Sequence, residues 1–181
     1  MRHTIDFGID LGTTNSAIAR QVGVRALLYP DAQGDLVLPS AVHLGADGHV
    51  TVGNDARARF DDDPANTAIE FKRQMGTAEL RSFPASGRSL RAEELSAEVL
   101  KALRQRVAAK DGEAPDAAVV TIPAMFQLPQ CEATRKAGHL AGLRHVALLQ
   151  EPVAAAIAHC GTGTLEDGYW LVYDLGGGTF D

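Results

Sequence analysis

Apolar and polar residues alternate from the start of the chain. Phe7 and Ile9 share one face and Gly8 and Asp10 the other, the period of a half-buried strand. Gly12, Thr13, Thr14 and Asn15 interrupt the alternation with turn-forming residues, and Ser16 to Ala19 resumes it. A strand, a tight turn and a second strand are therefore expected. Arg25 to Pro30 predicts a third strand, stopped by Pro30 and by Asp31, Gln33 and Gly34. Leu36 to Leu44 is extended but contains Pro39, which cannot donate within a central ladder, so a bend or an edge is expected there. Asp47-Gly48 predicts a hairpin turn before Val50 and Val52, and Asn54 to Phe60 a short helix.

The period then changes. Leu95, Val99, Leu103 and Val107 recur every fourth residue, with Leu100 broadening the stripe, so Glu93 to Lys110 predicts an amphipathic helix. Glu93 and Glu94 sit in its first turn, Arg104, Arg106 and Lys110 toward its end, and Asp111-Gly112 stops it. Gly87 to Leu90 reads as a turn or short strand. Ala117 to Ile122 is a buried strand between Pro115 and Pro123, and Pro129 opens a helix that runs to Ala141. Val146 to Leu149 predicts another buried strand, followed by a helix from Pro152 through His159 that Gly161 ends. Gly138 and Ala155 are small enough to permit close packing. Tyr169 to Tyr173 is a further apolar strand running into Asp174-Leu175-Gly176. Hairpins followed by strand–helix alternation predict an α/β fold, a mixed sheet flanked by helices. Its core is expected from residues 1–38 and 116–181, with 39–115 as a smaller inserted α+β unit.

Composition narrows the class without changing this picture. Of 181 residues, 45% are hydrophobic and 22% charged, ordinary for a soluble globular protein. A net charge of −6 speaks against nucleic acid as a partner. No apolar run spans a bilayer and Asp6 and Asp10 interrupt any signal-like region, so no membrane and a cytoplasmic location are expected. Cys131 and Cys160 fit no metal spacing and read as reduced thiols, with a disulfide as the alternative.

The candidate chemistry starts at Asp10, a carboxylate at a strand end, expected to be poorly solvated and partnered. The loop after it offers backbone N–H groups and two hydroxyls, a concave set of donors that suits a phosphate. A phosphate and a carboxylate about 4 Å apart repel by roughly 4 kcal/mol at an effective dielectric of 20. A Mg²⁺ ion between them removes that conflict. The competing reading is an ordinary hairpin with a turn aspartate. Asp174-Leu175-Gly176, with Gly177, Gly178 and Thr179, repeats the design, as two pseudo-equivalent loops around one polyphosphate would. Lys72, placed by Ile69 and Phe71, is suited to neutralise a transferring phosphoryl group, against the alternative of a surface Lys-Arg pair. Glu151, where a strand meets a helix, is a candidate base or water-orienting group, or simply a carboxylate at a helix start. Asp61, Asp62 and Asp63 read as a solvated loop, and His139 and His159 as surface or packing residues. The sequence stops at Asp181 just after the second turn, where a further strand is expected to follow.

Four stretches together resemble one family: Gly8-Ile9-Asp10-Leu11-Gly12-Thr13-Thr14-Asn15-Ser16, Phe71-Lys72-Arg73, Glu151-Pro152-Val153-Ala154-Ala155-Ala156, and Tyr173-Asp174-Leu175-Gly176-Gly177-Gly178-Thr179-Phe180-Asp181. Thr121-Ile122-Pro123-Ala124 adds a fifth. Their kinds and order are similar to those of the DnaK-type seventy-kilodalton heat-shock chaperones. The resemblance implies the first lobe of an actin-like, ribonuclease-H-like ATPase domain, with residues 170–181 opening the second lobe. It implies ATP or ADP with Mg²⁺ as cofactors, Asp10 and Asp174 holding the hydrated metal, and Asp181 near a monovalent cation such as K⁺. Gly12, Thr13, Thr14 and Asn15 would line one phosphate loop, with Thr13 near the γ-phosphate, and Gly176, Gly177, Gly178 and Thr179 the other. Lys72 would stabilise the phosphoryl group and Glu151 would order the attacking water.

In the family the second lobe supplies most of the adenosine pocket. The resemblance therefore implies an ATP hydrolase in the whole protein and little or no turnover by these residues alone. Unfolded or peptide clients and co-chaperones would be partners of the whole protein. The chain departs from the pattern in the segment that couples nucleotide state to peptide binding. Pro123 is present, but the expected arginine reads Cys131, an expected aromatic reads Met125, and Leu128-Pro129 replaces a polar pair. Rival readings are a small-molecule kinase of the same superfold and a bacterial actin-like filament protein.

Overall fold

The first strand, β1 (Phe7–Leu11), alternates in burial along its length, with Phe7, Ile9 and Leu11 inward. The computed structural model, which supplies this and all that follows, describes residues 4–161, 169 and 171–176. β1 turns into β2 (Asn15–Val22), which pairs with it antiparallel, and β2 turns into the edge strand β3 (Arg25–Leu28). The stretch around Pro39 splits as expected, into the two-residue β4 (Leu38–Pro39), paired with β2, and β5 (Ala41–Leu44). β5 is the middle of a separate antiparallel sheet between β6 (Val50–Val52) and β7 (Thr67–Ile69), with the short helix α1 (Asn54–Ala58) beside it. A hairpin of β8 (Arg81–Phe83) and β9 (Arg88–Leu90) follows; β8 has too little apolar alternation to be read from sequence.

Helix α2 (Ala92–Asp111) carries the stripe seen in the sequence, with Leu95, Val99, Leu100, Leu103 and Val107 fully buried. The Arg91 N–H donates to the Glu94 carboxylate at its start, and Gly112 takes the left-handed conformation at its end. β10 (Ala117–Ile122) then joins β1 in parallel, α3 (Leu128–Leu140) packs on α2, and β11 (His145–Gln150) joins β10 in parallel. The main sheet therefore runs β11-β10-β1-β2-β3, with β4 on β2. Its strand directions are mixed, as the hairpin-then-alternation order predicts. α4 (Glu151–Cys160) leaves β11 directly.

Two expectations need correction. Val146 to Leu149 is half-buried rather than buried, because β11 is the edge of the sheet and α4 beside it contributes no buried residue. The strand expected at Tyr169 to Tyr173 does not form a regular ladder among the described residues. Tyr169, Leu171 and Tyr173 are 108%, 85% and 71% exposed, so these side chains bury little apolar surface that could set a register. No helix among the described residues is long and apolar enough to cross a membrane, and Cys131 and Cys160 are free thiols.

Candidate functional site

Parallel pairing of β1 with β10 sets Gly8 against Val119 and Ile9 against Val120, so both strands end at the same level. Asp10 and Thr121 thus meet at the rim of the sheet. The Thr121 hydroxyl donates to Asp10 Oδ1 at 2.9 Å and accepts the Leu11 N–H at 3.3 Å. Asp10 has the expected partner, but it is exposed rather than poorly solvated, because its side chain points off the strand end into an open cleft.

That cleft encloses about 490 Å³. The Gly12–Asn15 loop, Asp10, Lys72, Glu151, Asp174 and Gly176 all line it. Every candidate named from sequence that falls among the described residues is here. Gly177, Gly178, Thr179 and Asp181 lie outside the described residues.

The loop wall is held from behind. The Ser40 hydroxyl donates to the Gly12 carbonyl at 2.8 Å, and the Ser40 N–H donates to the Thr14 carbonyl at 2.7 Å. With its own proton used, the Ser40 hydroxyl accepts from that of Ser16 at 2.9 Å. In a trans peptide the Thr13 N–H then points away from Ser40. Gly12 also has no room for a side chain, since a Cβ there would lie 2.1 Å from the Asn15 carbonyl oxygen.

Lys72 sits on a single 3₁₀ turn, Phe71–Gln74, entered through Glu70 in the left-handed region with φ 55°. Phe71 and Met75 bury their side chains on either flank of the turn. Gly76, with φ 75°, closes it against α3, where a Cβ would approach the Pro129 and Gln130 backbone to 2.7 Å. Gly76→Ala is therefore expected to lower stability by about 1–3 kcal/mol, from overpacking and left-handed strain, read as a lower urea midpoint at unchanged slope.

This scaffold makes Lys72 4% exposed, not a surface residue, and places its Nζ 2.6 Å from Glu151 Oε1. The face of Phe126 lies under the same ammonium, 5.6 Å from ring centre to Nζ. Burial pushes the Glu151 carboxyl above its usual range; Lys72 opposes the shift, while Asp10 and Asp174 add to it. Three carboxylates and one ammonium thus share the cleft.

Sequence reasoning missed three supporting residues. Thr121 carried a signal, a lone hydroxyl near the end of an apolar strand. Ser40 and Phe126 carried none, since their roles depend on contacts across the fold. Asp63 is structural: its carboxylate faces His43 Nε2 at 3.2 Å and accepts from the Asn66 amide at 2.8 Å.

Comparison with known proteins gives the family. A family model described as Hsp70 protein matches residues 6–82 and 80–181. A chaperone protein HscA homolog of Laribacter hongkongensis is 40% identical over 99% of this chain and 32% of its own length. That of Bordetella petrii is 44% identical over 96% of this chain and 31% of its own. The chaperone protein HscA of an Enterobacter species is 42% identical over the same shares, 96% and 31%. The chain thus spans about a third of the length of the curated relatives it matches.

Proposed function

Because the chain belongs to the Hsp70 family, we propose that its cleft is one wall of an ATP site, and that the whole protein couples ATP hydrolysis to binding and releasing unfolded or peptide clients. One observation carries this reading. Lys72 and Glu151, 79 residues apart and each singled out from sequence for phosphoryl chemistry, form a 2.6 Å pair inside the cleft that Asp10, Asp174 and the Gly12–Asn15 loop enclose.

The roles follow from the chemistry of each group. The Gly12–Asn15 loop binds phosphates through backbone N–H and hydroxyl donors, with Thr13 nearest the γ-phosphate. Gly176, with Gly177, Gly178 and Thr179, is assigned to binding phosphate as the second of the two motifs. Asp10 and Asp174 fit Mg²⁺: both are hard oxygen donors on one cleft, and one or two carboxylates plus phosphates are what that ion takes. When bound, the ion neutralises charge on the phosphate oxygens. Asp181 is assigned to a monovalent cation. Water attacks the γ-phosphorus, ADP leaves, and Lys72 offsets charge on the phosphoryl oxygens, so the catalysis is positioning and electrostatics. Glu151 orients the water. Residues 1–38 and 116–181 are taken as the lobe core, 39–115 as its insertion, and the location as cytoplasmic. Co-chaperones are expected partners of the whole protein. The Hsp70 match favours neither the kinase nor the filament reading.

The test is Mg²⁺-dependent binding of a fluorescent ATP analogue to the full-length protein, followed by single-turnover hydrolysis. Absence of Mg²⁺-dependent binding would sink the reading. A pH profile adds a second check. Glu151 must be ionised to orient water, and its carboxyl is raised above the ordinary value of 4.5. Activity should fall as pH drops through that raised value, giving an acid limb above the usual glutamate range. Glu151→Gln should lower the rate and remove the limb.

A further inference from the structure

A second cavity lies behind Lys72. It encloses about 190 Å³ and shares Thr13 and Lys72 with the main cleft. Glu151 lines only the cleft and Phe126 only the second cavity, yet both face the same ammonium. The Lys72 side chain is therefore the partition between two adjoining spaces.

The two spaces differ in charge. The cleft carries the carboxylates of Asp10, Glu151 and Asp174 against one ammonium. The side cavity is lined by Lys72 and Arg73, the Thr13 hydroxyl and the Gln130 amide, with Pro123 and Phe126 as apolar walls, and no carboxylate lines it among the described residues. Arg73 is 53% exposed, and its guanidinium lies 3.0 Å from the Glu70 carboxylate. Gln130 Oε1 already accepts the Gln127 N–H, which leaves its amide N–H groups for a ligand.

We propose that this side cavity binds inorganic phosphate, holding the dianion released by hydrolysis behind the Lys72 partition, apart from the position of the γ-phosphate. The inference rests on the ATPase reading above. A γ-phosphate still joined to nucleotide through its anhydride bond is held in the cleft by the loops and the metal. Once free, it is a dianion beside the Glu151 carboxylate and next to a cavity lined by Lys72 and Arg73 and, among the described residues, by no carboxylate. Each cation already has one carboxylate partner, Glu151 and Glu70, so it is the absence of a carboxylate from the cavity wall that favours transfer there. The size also suits: a water occupies about 30 Å³ of liquid, so the cavity has room for a five-atom oxyanion with part of its hydration.

The test is equilibrium dialysis of radiolabelled inorganic phosphate against the ADP-loaded full-length protein, alongside titration with a fluorescent ATP analogue. Gln130→Glu adds one negative charge to the cavity wall and keeps the acceptor for the Gln127 N–H. It should weaken phosphate binding about tenfold or more, speed phosphate release after a single turnover, and change ATP affinity less than threefold. Gln130→Met, which removes the donors without adding charge, should weaken phosphate binding by an intermediate factor, and thermal melts confirm that both variants fold. Unchanged phosphate affinity in Gln130→Glu would place the ion in the cleft and overturn the proposal, as would no measurable phosphate binding by the parent protein. Loss of ATP binding by the parent protein would instead overturn the ATPase reading.

Discussion

Replacing Lys72 with alanine should lower the single-turnover hydrolysis rate of the full-length protein by about 10²–10³, with nucleotide binding far less affected. The ammonium is 4% exposed and 2.6 Å from Glu151, so it is fixed before substrate arrives and no reorganisation is needed when charge develops. The variant also has a structural cost. Removing one partner of a buried pair costs about 3–5 kcal/mol when the other stays charged and unpaired. The cost here should be smaller, because Glu151 is 13% exposed, borders an open cleft and can take up a proton. Its carboxyl is already raised by burial and by Asp10 and Asp174, and without Lys72 it rises further.

A slow enzyme could therefore reflect lost chemistry or lost structure, and a double variant separates the two. Lys72→Ala with Glu151→Gln removes the stranded carboxylate, so urea unfolding should show less destabilisation than the sum of the single changes. Hydrolysis should not recover, since neither side chain can then do its task. If the double variant turns over as fast as Glu151→Gln alone, Lys72 is a structural residue. Undiminished turnover in Lys72→Ala would remove it from the mechanism outright.

What the sequence revealed and what it concealed divide along one line. Local periodicity was enough for β1 and α2, because each buries one face and writes that face into its own residues, while β10 and α3 were legible from an apolar run between prolines and from a proline at a helix start. The catalytic candidates were legible for a related reason: Asp10, Glu151 and Asp174 each follow an apolar run, where a charged group needs explaining. Pairing across the fold was not legible. That Ser40 bolts the phosphate loop depends on β4 lying beside β2, and that Thr121 meets Asp10 depends on the parallel register of β1 and β10. Lys72 was the hardest case. Its neighbours suggest placement, but a turn entered through a left-handed glutamate and closed by a glycine leaves no periodic trace.

Asp10→Asn and Asp174→Asn should each raise the Mg²⁺ concentration needed for half-maximal nucleotide binding by at least about 10–100-fold, the range for losing even an outer-shell partner of a metal. The asparagine is the same size and can still accept from Thr121, so the change is one of charge at Asp10 rather than of packing. A metal-free readout tests the shared cleft independently. Both aspartates hold the Glu151 carboxyl up, so removing either negative charge should move its titration toward the ordinary value of 4.5. The double variant should move it further in the same direction. Carboxyl-carbon NMR of the full-length protein without metal or nucleotide follows that titration directly. If one asparagine variant shifts Glu151 and the other leaves it unmoved, the two aspartates do not face one cleft. The two-loop grip on a triphosphate then fails, whatever the hydrolysis rates show. If both shift it while Mg²⁺ affinity holds, the cleft stands and the metal assignment falls.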